Sequence, residues 1–98
     1  MILDKMSLNG KVGIVTGASK GLGRSMALGL AEAGADLAII SRGMPDLMKV
    51  ADEIKSLGRK VLPIGADMTD TKQIDDVVQK TLDEFGKIDI LINNAGTT

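Results

Sequence analysis

Apolar residues fall along this chain in two alternating arrangements. Short unbroken runs occur at Val12-Gly13-Ile14-Val15, Leu37-Ala38-Ile39-Ile40, Val61-Leu62-Pro63-Ile64 and around Ile88, Ile90, Leu91 and Ile92. Between them, apolar residues recur at spacings of three and four. A run of about four to six apolar residues suits a strand buried on both faces, and the wider spacing suits a helix with one buried side. The pattern therefore predicts strands over 11–16, 36–41, 60–65 and 88–93, separated by three helices.

The helices carry their own punctuation. The first opens at a glycine-rich turn, with its pattern running from Arg24 to Ala33. Leu22, Met26, Leu30 and Ala33 mark its expected buried face, and Gly34 stands where a C′ glycine belongs. The second starts near Pro45, a favoured first-turn residue, repeats through Leu47, Val50, Ala51, Ile54 and Leu57, and closes at Gly58. The third has Asp70 as N-cap with Gln73 as a capping-box partner. Its stripe is Ile74, Val77, Val78, Thr81, Leu82 and Phe85, and Gly86 ends it. Pro63 assigns the third strand to a sheet edge, because it has no N–H for a ladder bond. The fourth strand, nearly all apolar, reads as central and buried on both faces.

Four strands alternating with three helices through short connections make an α/β chain with a parallel sheet and right-handed crossovers. The expected strand order is 3-2-1-4. A ligand then sits at the carboxyl ends of the strands, around the switch point between the first and fourth.

Composition narrows the chemistry. The chain has 98 residues, 44% of them hydrophobic, and a net charge of −1. That supports a core and offers no basic surplus for nucleic acid. Cysteine and histidine are absent, which removes disulfides, thiolate and imidazole metal ligands, and the Ser-His-Asp triad. No apolar stretch approaches the ~20 residues of a membrane span, and no signal-peptide core opens the chain, so a cytoplasmic protein is expected. Phe85 is the sole aromatic residue, leaving no base-stacking platform.

The segment Thr16-Gly17-Ala18-Ser19-Lys20-Gly21-Leu22-Gly23 carries the functional signal. A glycine turn between strand and helix lets backbone approach a pyrophosphate, and the free N–H groups of the helix start face the anion. Together with Asn93-Asn94-Ala95-Gly96 after the fourth strand, this segment resembles the short-chain dehydrogenases/reductases, which are NAD(P)-dependent and interconvert alcohols and carbonyls. The resemblance covers the whole chain but only the first part of that family's domain: a three-layer, Rossmann-like half. Gly17, Ser19, Lys20, Gly21, Leu22 and Gly23 are its expected cofactor loop, in which the Gly17, Ser19 and Leu22 region meets the diphosphate and the adenosine ribose.

The end of the second strand, Ile40-Ser41-Arg42-Gly43, has no acid to accept hydrogen bonds from a ribose 2′-hydroxyl before Asp46. A guanidinium there pairs with a 2′-phosphate instead, and Lys20 in the glycine loop adds a second cation. Ser41, Arg42 and Lys20 thus favour NADP(H) over NAD, the alternative being that both cations are solvated surface charges. The resemblance makes Asp67 the adenine contact, with Met68 beside it; an Asx turn before the third helix is the structural alternative. It also gives Asn94, Ala95 and Gly96 to the ribose pocket and to stabilising the sheet.

The family's acid/base is a tyrosine beside a lysine in Tyr-x-x-x-Lys, aided by a serine and a further asparagine. This chain contains no tyrosine, so these residues are expected beyond residue 98. The chain is then expected to bind its cofactor without turning over substrate, as the truncated part of a reductase whose full-length relatives are homo-oligomers. The competing reading is a non-catalytic nucleotide-binding module completed by a partner chain. Sugar acids, 3-oxoacyl thioesters and ketosteroids all remain open as substrates.

Overall fold

The structure is a computed structural model and describes residues 7–94. Strands β1 (Val12–Thr16), β2 (Asp36–Ser41), β3 (Val61–Gly65) and β4 (Ile90–Ile92) alternate with helices α1 (Gly21–Glu32), α2 (Met44–Ser56) and α3 (Thr71–Phe85). They form one parallel sheet in the order β3-β2-β1-β4. Val12 lies opposite Asp36 and Gly13 opposite Ile90, so β1 pairs on both sides. Pro63 is on an edge strand, where its missing donor is harmless.

Successive residues of β2 divide between the two faces of the sheet. Leu37 and Ile39 pack with Ala27 and Ala31 of α1 and with Leu47, Val50 and Ile54 of α2. Ala38 and Ile40 pack with Ile14 and with Val77 of α3. The layers are therefore two helices, the sheet, and one helix. Fully burying each of these larger aliphatic side chains contributes about 1.5–3 kcal/mol, which fits the unbroken apolar run from Leu37 to Ile40.

Two expectations about burial are corrected. The fully buried residues of α1 are Gly23, Ala27 and Ala31; of the expected Leu22, Met26, Leu30 and Ala33 stripe, Ala33 is buried and Leu30 packs against the core, whereas Leu22 and Met26 are not part of it. Small residues at every fourth position let the helix axis approach the strands, and Leu22 is left 65% exposed on the ligand side. Strand β4 is shorter than 88–93 and is an edge strand, with Leu91 64% exposed, because among the described residues it pairs only with β1. Val78 and Leu82 of the α3 stripe are likewise more than a third exposed, while Val77 and Thr81 are buried.

The cap of α3 also differs in detail. Asp70 accepts from the Lys72 amide, and the Gln73 side chain reaches back to the Asp67 amide at 2.7 Å rather than to that of Asp70. Among the described residues, no helix is long and apolar enough to cross a membrane.

Candidate functional site

The carboxyl ends of β1, β2 and β3 open onto a cleft of about 1120 Å³. Ten of the thirteen expected site residues line it: Gly17, Ser19, Lys20, Gly21, Leu22, Ser41, Arg42, Asp67, Met68 and Asn94. Gly23 is buried beneath the loop instead of lining it. Ala95 and Gly96 lie outside the described residues.

The glycine loop and the segment after β4 are built against each other. Gly17 has φ +62°, a conformation that costs a side-chain-bearing residue free energy, and a Cβ there would meet the Asn94 carbonyl oxygen at 3.1 Å. A Cβ on Gly23 would fall 2.0 Å from the Gly17 carbonyl oxygen and 2.8 Å from Asn94 Nδ2. Backbone therefore packs on backbone where α1 begins, and only glycine fits at position 23. Thr16 fastens the two segments from below. Its buried hydroxyl donates to Asn93 Oδ1 at 3.0 Å and accepts from the Asn94 amide at 2.9 Å. The Ala18 amide donates to the Ile40 carbonyl at 3.1 Å, which ties the loop to β2 as well.

The start of α1 is prepared for an anion. Its N-cap is Lys20, which makes no side-chain capping bond, and its first turn contains no acid. The first amides of a helix lack intrahelical partners and carry the positive end of its dipole. By contrast α3 is capped by the Asp70 carboxylate and α2 has Asp46 in its first turn.

Lys20 and Arg42 are both exposed on this cleft, and neither belongs to an ion pair among the described residues. Ser41 Oγ accepts from the Gly43 amide at 3.2 Å, shaping the turn that carries Arg42. Asp67 forms the Asx turn that its sequence context allowed: its Oδ1 accepts from the Thr69 hydroxyl at 2.7 Å and the Thr69 amide at 2.9 Å. Those bonds, the hydroxyl's first, hold the Asp67 carboxyl below the usual carboxylate range, and the Arg42 charge lowers it further.

Sequence reasoning missed three contributors. Thr16, the first residue of the glycine motif, fixes both site segments through its side chain. Asp46 and the apolar floor of Ile14, Ile40 and Ile74 also line the cleft. The floor residues were visible only as core positions, because periodicity does not reveal which end of a buried strand is open. Among the described residues, no group of three or more acidic side chains is placed to hold a metal ion.

Comparison with known proteins agrees with this geometry. The chain is 44% identical over 96 residues to 2-dehydro-3-deoxy-D-gluconate 5-dehydrogenase of Dickeya dadantii, covering 98% of this chain and 37% of that one. It is 39% identical over 90 residues to L-rhamnose 1-dehydrogenase (NAD(P)(+)) of Sphingomonas, covering 91% of this chain and 35% of the relative. Among solved structures, L-sorbose reductase of Gluconobacter frateurii complexed with NADPH and L-sorbose superposes with a TM-score of 0.89 at 36% identity, over 96% of this chain and 36% of that one. The chain thus spans little more than a third of the length of these relatives. Residues 11–98 match the family described as short chain dehydrogenase. That match runs through all four strands, all three helices and both halves of the glycine cradle, and the chain belongs to the short chain dehydrogenase family.

Proposed function

We propose that the chain is the NADP(H)-binding portion of a short-chain dehydrogenase/reductase acting on the CH–OH or carbonyl group of a small substrate. On this reading residues 1–98 are an incomplete dinucleotide-binding domain, the compartment is the cytoplasm, and the assembled form is a homo-oligomer. The observation that carries the cofactor assignment is the Gly17–Gly23–Asn94 cradle opening on the uncapped start of α1. Its backbone-to-backbone packing fixes the loop at the start of α1, whose first-turn amides lack intrahelical partners and suit a pyrophosphate. Gly17, Ser19, Gly21 and Leu22 would hold the diphosphate. Ser41, Arg42 and Lys20 would hold the 2′-phosphate. Asp67 and Met68 would flank the adenine, and Asn94 with Ala95 and Gly96 would line the ribose pocket.

When bound, the nicotinamide supplies or accepts the hydride. This chain's residues bind and orient the dinucleotide. With no tyrosine, histidine or cysteine in the sequence, none of those side chains is available to move the substrate's proton, and that role falls to residues outside this segment.

The preference for the phosphorylated cofactor rests on Arg42 and Lys20 being exposed on one cleft, outside the ion pairs formed among the described residues. Charge-assisted bonds to a phosphate contribute about 1.5–3 kcal/mol each, or roughly tenfold or more in affinity. Titration of the full chain with NADPH and NADH, followed by nicotinamide fluorescence, is expected to show tighter NADPH binding. Arg42→Asp is expected to reverse the order. Equal affinities in the unmodified chain defeat the specificity assignment.

A further inference from the structure

Among the described residues, four charged side chains line the cleft with opposing signs: Lys20 and Arg42 against Asp46 and Asp67. Asp67 has an evident task, since it holds the Asx turn with Thr69. Asp46 has none of that kind. It stands in the first turn of α2, whose N-cap, Gly43, directly follows Arg42. Its one ion-pair partner among the described residues is Lys49, at a loose 3.8 Å, and both side chains are well exposed.

We propose that Asp46 is a specificity-determining residue that opposes a 2′-phosphate at Arg42 and so narrows the preference between the phosphorylated and unphosphorylated dinucleotides. The proposal deepens the cofactor reading above and rests on it. An acid in the first turn of a helix complements the positive end of the dipole. Here it lines the same cleft as Arg42, four residues away in the chain, and would add a like charge on the side where Arg42 holds a phosphate. The first turn of α2 rises only about 4.5 Å from Gly43 to Asp46, so the carboxylate lies within a Debye length of a phosphate held by Arg42. An NAD-type cofactor has no charge at that position and does not feel the opposition.

The repulsion between a carboxylate and a dianion at about 8 Å in water corresponds to roughly fivefold in affinity. Asp46→Asn in the full chain is therefore expected to tighten NADPH binding about fivefold at low salt and to change NADH binding less than twofold. Lys49→Gln removes the cation that pairs with Asp46 among the described residues and is expected to weaken NADPH about twofold. The gain in Asp46→Asn should fade at 1 M salt, where the Debye length is about 3 Å.

Circular dichroism on each variant checks that α2 is intact. If either variant loses helix, the other carries the test, because the two predicted shifts have opposite signs. Equal shifts for both cofactors, or an NADPH/NADH ratio unmoved by both substitutions, overturn the proposal while leaving the cofactor reading in place. An unmodified chain that prefers NADH overturns the cofactor preference; a selective NADPH gain in Asp46→Asn then still supports the role of Asp46. Failure to bind either dinucleotide overturns both.

Discussion

Gly23→Ala tests whether the cradle is a rigid unit. The added Cβ would lie 2.0 Å from the Gly17 carbonyl oxygen and 2.8 Å from Asn94 Nδ2. A relaxed carbon–oxygen contact needs well over an ångström more, and the obstructing atom is backbone that cannot rotate away. Overpacking of this kind costs about 1–3 kcal/mol. Alanine in a helix recovers up to about 1 kcal/mol relative to glycine, so the net loss is expected near 1–2 kcal/mol. In a domain of this size that lowers Tm by roughly 4–16 °C.

Gly29→Ala is the internal control. It lies in the same helix, and a Cβ there meets nothing within 4 Å, so it is expected to stabilise by about 0.5–1 kcal/mol. Urea unfolding followed by circular dichroism measures both. Because α1 must move to admit the methyl group, Gly23→Ala is also expected to weaken NADPH binding at least about tenfold, a cost of about 1.4 kcal/mol. A Gly23→Ala chain as stable as the parent, with unchanged NADPH affinity, would refute the cradle.

Two further outcomes follow from the side chains that brace the site. Thr16→Val removes the hydroxyl that joins Asn93 and Asn94 to β1 and leaves the Asn94 amide without that acceptor; a loss of about 1–3 kcal/mol is expected, largely restored in Thr16→Ser, by the same unfolding assay. Asp89 accepts from the Val12 amide at 2.9 Å and pairs with Lys87 at 3.1 Å, and these bonds, the Val12 amide's first, hold its carboxyl below the usual range. A depressed folded-state value means stability that is fully present above the ordinary carboxylate pKa of about 3.9 and is lost as pH falls through the lowered value. The stability gap between parent and Asp89→Ala should therefore shrink on going from pH 7 to pH 3, and a constant gap would refute the assignment.

Much of the architecture is legible in local signals. Unbroken apolar runs locate β1, β2 and β3 within a residue, because strands packed under helices favour runs of apolar, often β-branched residues. Asp70 and Gly86 bound α3 because orphan amides and carbonyls at helix ends need such residues. Hydrophobicity ranks leucine and methionine above glycine and alanine, whereas close approach of α1 to the sheet demands small residues, so Gly23, Ala27 and Ala31 take the buried positions and Leu22 does not. The bounds and exposure of β4 are not legible for a different reason. An apolar run records what a strand is suited to, and only the neighbours present decide how much of it is covered.

The amino-acid sequence by itself determined the order of elements, the parallel sheet and the glycine loop, since these follow from spacing and from residues with restricted or permissive backbones. It also determined which chemistry is missing, because a side chain absent from the sequence cannot be supplied by folding. Tertiary structure alone decided that Gly17 and Gly23 meet Asn94 and that Thr16 joins β1 to Asn93 and Asn94. These are contacts between residues as many as 78 positions apart. No local pattern encodes them; they arise when β1 and β4 pair and bring the ends of two strands together.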